Sequence, residues 1–524
     1  MQNHRQSGTR PPHSTPRVLI VTPEVTFVPS GMGPGSRSIC ARAGGLGDIC
    51  AAEIHALYER GIDVHLAMPN YRNVFKNSTH PLPGLDIPQR QRNLPENRIH
   101  LAEDRSFYYH PKLFMDTGGE SVRIALSFQR EVINRIIPEV QPDLIHCFDW
   151  MSGLIPAMAR QCGIASLFTF YRLDAPQLLL STIEERGIDA AAFWRTCFYE
   201  RLPESYEETR NTNPVDLLTT GVFAATMVAA LSPTYLAALT NGQGHLARPG
   251  LRDELKRKMA AGQLGAVLPV PDSSFHPATD RALLRSFGPE THFAGKLYNK
   301  LQLQETLGLR MDSTAPVCFW PTRLDGSRPG CRMMVALLDD ILRRYQDQRL
   351  QLVFVADGDY RAPLAEKIAR LGAGDRAAVA DFDARRYRLA YGGSDFVLMP
   401  LRLDPCALPC RIGQRYGALP IAFDAGAIHD CTTHLDWNTG QGNGFLFRYF
   451  DATGFLWAID QAMAFYRQPP EIRAREVERV MQASLAQVNS DEAIDGIVAL
   501  YSRTLAGGPV QFTPDSGDHD RIAA

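Results

Sequence analysis

The strongest constraint on the fold is a strand, a glycine-rich loop, a helix and a second strand in direct succession. Apolar residues 17–22 predict a buried strand, and apolar positions recur at helical spacing over residues 48–60. A second apolar run follows at residues 62–68, and Gly44-Gly45-Leu46-Gly47 lies in the loop before the helix. Such a unit is typical of a parallel sheet wound with helices, so the sequence predicts an α/β fold.

The alternation of strands and helices continues and then restarts after a proline-rich segment around residues 265–277. Prolines break both helices and strand ladders, so this segment is interpreted as a connection between domains. We predict two Rossmann-like, doubly wound domains facing across a deep cleft, followed by helices that pack back across it. The predicted domains cover residues 17–270 and 271–470, the helices cover 471–506, and 1–16 and 507–524 are expected to be a disordered leader and tail.

Composition excludes several classes of partner. The 524 residues include 55 Lys and Arg against 57 Asp and Glu, a formal net charge of −2, with no block of like charges that would bind nucleic acid or an anionic membrane. The most apolar stretch, residues 221–231, is too short to span a bilayer. The ten cysteines form no CxxC pair and no metal-ligand cluster. We expect a cytoplasmic protein without a metal, and the sequence does not specify its oligomeric state.

Three groups of residues are candidates for chemistry. The glycine turn at 44–47 suits an anion because backbone amides and a helix start lie there, and Asp48 follows as a hydroxyl acceptor or a helix cap. Arg323 and Arg328 lie in one loop after a strand and suit a diphosphate, while Asp404 follows another strand and suits a sugar hydroxyl. The turn lacks the GxGxxG spacing, which disfavours the alternative of an NAD-dependent oxidoreductase.

Longer phrases occur in a fixed order along the chain. Together they resemble the bacterial glycogen synthase and plant starch synthase family of GT-B glycosyltransferases over about residues 17–505. The phrases are Arg42-Ala43-Gly44-Gly45-Leu46-Gly47-Asp48, Arg60-Gly61-Ile62-Asp63-Val64, Met68-Pro69-Asn70-Tyr71, His146-Cys147-Phe148-Asp149-Trp150, Ser232-Pro233-Thr234-Tyr235, Thr322-Arg323-Leu324, Gly392-Gly393-Ser394-Asp395, Asp404-Pro405-Cys406-Ala407-Leu408 and Arg415-Tyr416-Gly417-Ala418-Leu419-Pro420.

The resemblance implies transfer of glucose, with retention, from ADP-glucose or another nucleoside diphosphate glucose to the non-reducing end of an α-1,4-glucan. It implies no metal and no cofactor, and its partners are the nucleotide sugar and the glucan. Arg323 and Arg328 would neutralise the leaving diphosphate, with Asp404 and Tyr171 at the donor glucose. The implied substrate-binding residues are Arg42, the amides of Gly44 and Gly45, Asp48, Asp149, Phe382 (stacked on adenine), Cys406 and Leu408.

The chain departs from the family pattern around the donor sugar. Tyr171 and Arg172 replace the family's His-Asn, Pro409 follows Leu408 in place of Thr, and Ala407 and Ala427 stand at family glycines. Arg42 and Arg328 replace lysines, and Asp404 replaces a glutamate and is one methylene shorter. These departures leave a second interpretation open, a catalytically impaired homologue that binds nucleotide or glucan as a regulatory protein.

Overall fold

Two parallel sheets dominate the computed structural model, which describes residues 15–77, 97–110, 113, 117–241, 247–489 and 492–508. The first sheet has seven strands in the order β3-β2-β1-β4-β5-β8-β9, and the second has six in the order β12-β11-β10-β13-β14-β15. The first-sheet strands are β1 Arg17–Val21, β2 Asp63–Pro69, β3 Ile99–Ala102, β4 Leu144–Phe148, β5 Ala165–Thr169, β8 Met227–Ala230 and β9 Leu264–Ala266. The second-sheet strands are β10 Val317–Trp320, β11 Gln351–Val355, β12 Ala377–Ala380, β13 Phe396–Met399, β14 Leu419–Phe423 and β15 Phe445–Phe447, and a small antiparallel pair joins β6 Gln177–Leu178 to β7 Val215–Asp216.

Helices fill the connections between these strands. They are α1 Gly45–Glu59, α2 Arg72–Asn77, α3 Arg105–Tyr108, α4 Gly119–Glu131, α5 Ile137–Val140, α6 Ile155–Gln161, α7 Leu180–Glu184, α8 Tyr206–Thr212, α9 Leu217–Ala224, α10 Pro233–Thr240, α11 Pro249–Ala260, α12 His292–Leu307, α13 Pro329–Arg344, α14 Arg361–Arg370, α15 Ala384–Gly393, α16 Leu408–Arg415, α17 Ala427–Cys431, α18 Ala452–Tyr466, α19 Pro470–Asn489 and α20 Glu492–Gly507. Within the described residues, no helix combines the length and apolarity that crossing a membrane requires.

Each sheet reverses its winding direction at one point. In the first sheet β1 pairs with β2 on one side and β4 on the other, and in the second β10 pairs with β11 and β13. Loops at the carboxyl ends of the two central strands therefore diverge and leave a crevice between them. Ligands of doubly wound sheets bind in this crevice, so the two switch points, β1/β4 and β10/β13, mark where a site is expected.

The strands are buried on both faces, which explains their continuous apolar runs. Val18 to Val21 are all buried, as are Leu352 to Val355. One hydrophobic core surrounds the first sheet and two others flank the second, and Ile49 and Leu231, both from the first-sheet half, pack into a second-sheet core. The two halves of the chain are therefore in direct apolar contact.

The last two helices belong to different halves of the molecule. Helix α19 packs beside α16, whereas α20 crosses to the first sheet and contacts β5. The Tyr501 hydroxyl donates to Glu53 Oε1 (3.0 Å) and lies 2.9 Å from His146 Nδ1, both in the first-sheet core. The chain thus returns to its first half after completing the second.

The α/β prediction is confirmed, but several elements differ from the sequence-based expectation. Helix α1 begins at Gly45, so Asp48 lies in its first turn and the cap position is Gly44. The apolar stretch at 221–231 contains the end of α9 and all of β8, because Ala225 and Thr226 separate them. The domain boundary at 270/271 stays a prediction; residues 267–288 form neither helix nor strand. Most of the predicted leader and tail (1–14 and 509–524) lies outside the described residues.

Candidate active site

The predicted site residues cluster at the carboxyl ends of strands at both switch points. Glu24 and the glycine turn follow β1, and Asp149 follows β4. Across the gap, Arg323 follows β10 and Asp404 follows β13. Loops from both sheets therefore border one crevice, which we call the cleft, and this is where doubly wound sheets bind ligands.

A buried carboxylate organises the glycine turn from within. Glu24 Oε2 accepts the backbone N–H of Ala43 (2.6 Å) and of Gly44 (3.0 Å), and the Glu24 residue is 2% exposed. The Gly44 amide, expected to meet a diphosphate, is therefore occupied by the protein itself. The Gly45 amide is at the first position of α1, where helix amides have no intrahelical acceptor, and it remains a candidate for the donor.

Burial and neighbouring charges act on Glu24 in opposite directions. Burial raises the pKa of this carboxyl above its usual value, and the charge of Arg172, the two amides and Arg42 act against the increase. Glu24 is a residue that the motif analysis missed. Its position three residues beyond a buried strand was the available signal, since such positions line the crevice of a parallel sheet.

Arg42 connects the two halves of the cleft. Its Nε lies 3.2 Å from Asp48 Oδ2, and its guanidinium carbon lies 4.3 Å from the ring centre of Phe382 and 5.2 Å from that of Tyr387. Burial disfavours the charge of Arg42, but Asp48 more than compensates and holds the pKa above its usual value. Arg42 therefore pairs with Asp48 and also contacts the Phe382 ring through a cation–π interaction.

Asp149 is held in a rare backbone conformation and is fully buried. Its φ is +63° and ψ is 171°, a region that non-glycine residues seldom adopt. Oδ1 accepts the Arg172 amide (3.2 Å) and Oδ2 accepts Arg172 Nε (2.7 Å). Both carboxylate oxygens are thus engaged by the residue that replaces the family's Asn, which points to a structural use of this carboxylate.

Tyr171 bridges the cleft from the first sheet to the second. It packs against cores of both halves, and a Cβ added to Gly45 would lie 2.9 Å from the Tyr171 hydroxyl oxygen. A side chain at position 45 would therefore require the Tyr171 ring to shift. Burial, with Cys406 and Asp404 nearby, raises the pKa of Tyr171 well above its usual value, so the hydroxyl stays protonated.

Asp404 turns back onto its own loop. Its Oδ1 accepts the amides of Cys406 (3.0 Å) and Ala407, and the residue is buried. Burial raises the pKa of Asp404, while those amides and Arg328 oppose the increase. This carboxylate therefore closes the loop that precedes α16, a helix whose cap residue is Ala407 and whose first residue is Leu408.

Arg323 and Arg328 supply the cations on the second-sheet side. Arg328 immediately precedes α13, its side chain is 48% exposed, and its Nε lies 3.6 Å from Asp325 Oδ2. Burial alone raises the pKa of Asp325, but hydrogen bonds from Ser327 and the charges of Arg328 and Arg323 outweigh it and lower the pKa. The charge of Arg328 also acts on Asp404 and Tyr171, which places all three groups around one part of the cleft.

The predicted residues therefore border one cleft, where some contact other protein groups and others are open to a ligand. Those that contact other protein groups are Arg42, Gly44, Asp48, Asp149 and Asp404. The groups best placed to meet a ligand are the Gly45 amide and the exposed guanidinium of Arg328. Across the described ranges, no set of three His, Cys, Asp or Glu side chains could hold a metal ion.

Two parallel α/β halves that meet at their switch points, with a glycine turn on one side and two arginines on the other, have the architecture of a GT-B glycosyltransferase. Residues 17–252 match the family model of the starch synthase catalytic domain. Relatives include glycogen synthases from Syntrophotalea carbinolica (29% identical over 458 residues; 82% of this chain, 90% of the relative) and Moorella thermoacetica (28% identical; 90% and 93%). The fold also matches the catalytic domain of starch synthase IV from Arabidopsis thaliana bound to ADP and acarbose, with a TM-score of 0.74, 22% identity, and coverage of 94% of this chain and 100% of that one.

The chain thus resembles the bacterial glycogen synthase and plant starch synthase family over most of its length, and it is a glycosyltransferase. Both the GT-B fold and the family resemblance predicted from the motifs are confirmed.

Proposed function

We propose that this protein transfers glucose from ADP-glucose to the non-reducing end of an α-1,4-glucan, with retention of configuration and without a metal or cofactor. The observation that carries the proposal is that Arg323 and Arg328 follow β10 at the second switch point, while the glycine turn follows β1 at the first. The proposal is supported by relatives described as glycogen synthases and by a structural neighbour described as bound to ADP and acarbose.

The arrangement suits departure of a nucleoside diphosphate. When the bond from glucose C1 to the diphosphate oxygen breaks, negative charge grows on the diphosphate and positive charge on the sugar. Fixed cations aimed at the growing negative charge lower the barrier, and this electrostatic effect is usually the largest single contribution to catalysis. Arg323 and Arg328 do this in the proposed mechanism, and the acceptor hydroxyl adds to C1 from the face that the diphosphate leaves while its proton passes to a leaving phosphate oxygen.

The first-sheet side holds the sugar and excludes water. Tyr171 spans the cleft with a protonated hydroxyl that can donate one hydrogen bond to a sugar oxygen. On the second-sheet side Phe382 offers a ring for the base, and on the first-sheet side the Gly45 amide at the start of α1 is a candidate donor to a phosphate. Both proposed substrates are metabolites of the cytoplasm, so the same proposal places the protein there.

Incorporation of label into polymer tests this function. Purified protein is incubated with glycogen and radiolabelled ADP-glucose, and in parallel with UDP-glucose. We expect label in precipitated glycogen, with the higher rate from ADP-glucose. Tight glycogen binding without incorporation from either donor would contradict the proposal and would indicate a regulatory glucan-binding protein.

A further inference from the structure

We propose that Glu24 is a positioning residue of the donor site: its carboxylate holds the turn at residues 43–47 from inside, so that the amides that follow face the cleft. This inference rests on the proposed function because it names a residue that prepares the donor site. Glu24 is not among the site residues that the motifs predict. Its positioning role requires that the turn be held in shape before the donor binds.

The geometry shows the turn wrapped around one oxygen atom. Glu24 Oε2 accepts two consecutive amides, from Ala43 and Gly44, at 2.6 and 3.0 Å. A Cβ added to Gly47 would lie 3.3 Å from the same oxygen, so the third glycine of the turn also packs against it. Consecutive backbone N–H groups form an anion-binding concavity, and here the resident anion is part of the protein.

The backbone of Glu24 is itself fixed at the end of β1. Thr22 Oγ1 donates to the Glu24 carbonyl oxygen (2.9 Å) and lies 3.3 Å from Cys50 Sγ on α1. The Glu24 backbone is thus anchored beside β1 and α1, and its carboxylate cannot swing away without losing both amides of the turn.

Two cations balance the buried charge. Arg172 and Arg42 both stabilise the ionised carboxylate, and each also pairs with a second carboxylate, Asp149 and Asp48 respectively. These two arginines and three carboxylates leave no excess positive charge on the first-sheet side of the cleft. Arg323 and Arg328 therefore attract the donor diphosphate, while Glu24 determines the direction of the amides that begin α1.

The order of the turn can be measured in the protein alone. Glu24→Leu keeps a side chain of similar size but has no oxygen, so it cannot accept the amides of Ala43 and Gly44. We expect hydrogen–deuterium exchange of residues 43–48 to become at least 10-fold faster in the variant, with exchange elsewhere in the first sheet unchanged. Glu59→Leu, at the exposed end of α1, is the matched control and should leave the turn unaffected.

Donor binding provides the second readout. In Glu24→Leu we expect ADP to bind about 10-fold more weakly by calorimetry and the KM for ADP-glucose to rise about 10-fold, with a smaller change in the KM for glycogen. Glu24→Asp should not restore binding because its side chain is too short. Unchanged exchange of the turn, or equal or tighter ADP binding by the variant, would overturn the inference. Absence of ADP binding by the wild-type protein would instead count against the proposed function, and the exchange measurement would still decide the role of Glu24.

Discussion

At the scale of single residues, the substitutions that depart from the family pattern change how far a side chain reaches more than they change its charge. Asp404 keeps a carboxylate but turns it onto the amides of Cys406 and Ala407, and Arg172 introduces a guanidinium that occupies Asp149. The two second-sheet arginines are the cations left to act on a ligand. Catalysis by this chain is therefore expected to depend on them strongly.

Arg323→Ala and Arg328→Ala should each lower kcat about 100- to 1,000-fold, because each removes a fixed charge from the leaving diphosphate. Initial rates of label transfer at saturating ADP-glucose measure the effect. Arg343→Ala, at the exposed far end of α13, is the control and should leave the rate unchanged. Near-normal rates in both cleft variants would show that the arginines do not carry the chemistry.

Ala407 offers a test of backbone strain next to the site. It adopts φ +50° and ψ 22°, the left-handed region that costs an L-residue about 1 kcal/mol relative to glycine. Ala407→Gly should therefore raise the free energy of unfolding by about 1 kcal/mol, measured by urea denaturation. Ala365→Gly, on an exposed face within α14, should lower it by a similar amount, and a loss of stability in Ala407→Gly would contradict the assigned strain.

At the scale of elements, the sequence predicts what depends on local pattern and misses what depends on contacts distant in sequence. Continuous apolar runs identified β1, β2 and β11, which are buried on both faces. Strands β9 and β15 have three residues each and were not distinguishable from loops. Glu24 was missed because its two amide partners lie 19 and 20 residues later, a relation that exists only after the turn folds back on the strand.

Helices α10 and α17 join the two halves on one side of the cleft. Asp430 on α17 accepts Ser232 Oγ (2.5 Å), Thr234 Oγ1 (2.5 Å) and the Thr234 amide (3.2 Å) at the start of α10. Asp430→Ala removes all three bonds, so we expect a more open molecule with a larger radius of gyration in solution X-ray scattering and a lower kcat. Glu366→Ala, an exposed change on α14, is the control; an unchanged radius and rate in Asp430→Ala would show that the contact does not hold the cleft closed.

At the scale of the whole molecule, contacts of the connecting segment fix how the two halves sit together. The connection is held by Asp272, whose Oδ2 lies 3.1 Å from His55 Nδ1 on α1, and by Arg415, which donates to the Asp272 carbonyl oxygen (2.8 Å). Both members of the His55–Asp272 pair are buried. The contact that helps to place the two sheets relative to each other therefore contains a titratable pair, His55 and Asp272.

This contact predicts a pH dependence of stability. Burial lowers the pKa of His55, but its hydrogen bond to Asp272 and the charge of that carboxylate outweigh burial, so the pKa is raised. The pKa of Asp272 is lowered, because the His55 bond and charge outweigh its burial. The His55 contribution is therefore fully present below its unfolded pKa of about 6.5 and is lost as pH rises through the folded value. His55→Gln should lower the urea midpoint more at pH 5.5 than at pH 8.5, and an equal difference at both would contradict the ion pair.

The cleft between the two switch points is proposed to transfer glucose, and analysis of the reaction product tests this transfer directly. ADP-glucose and maltotriose are incubated with the protein, and the anomeric protons are followed by NMR. We expect maltotetraose with a new α-1,4 bond and one ADP released per bond, and no such product when Arg323 and Arg328 are both alanine. A β-linked product, release of free glucose without chain extension, or full activity of the double variant would contradict it.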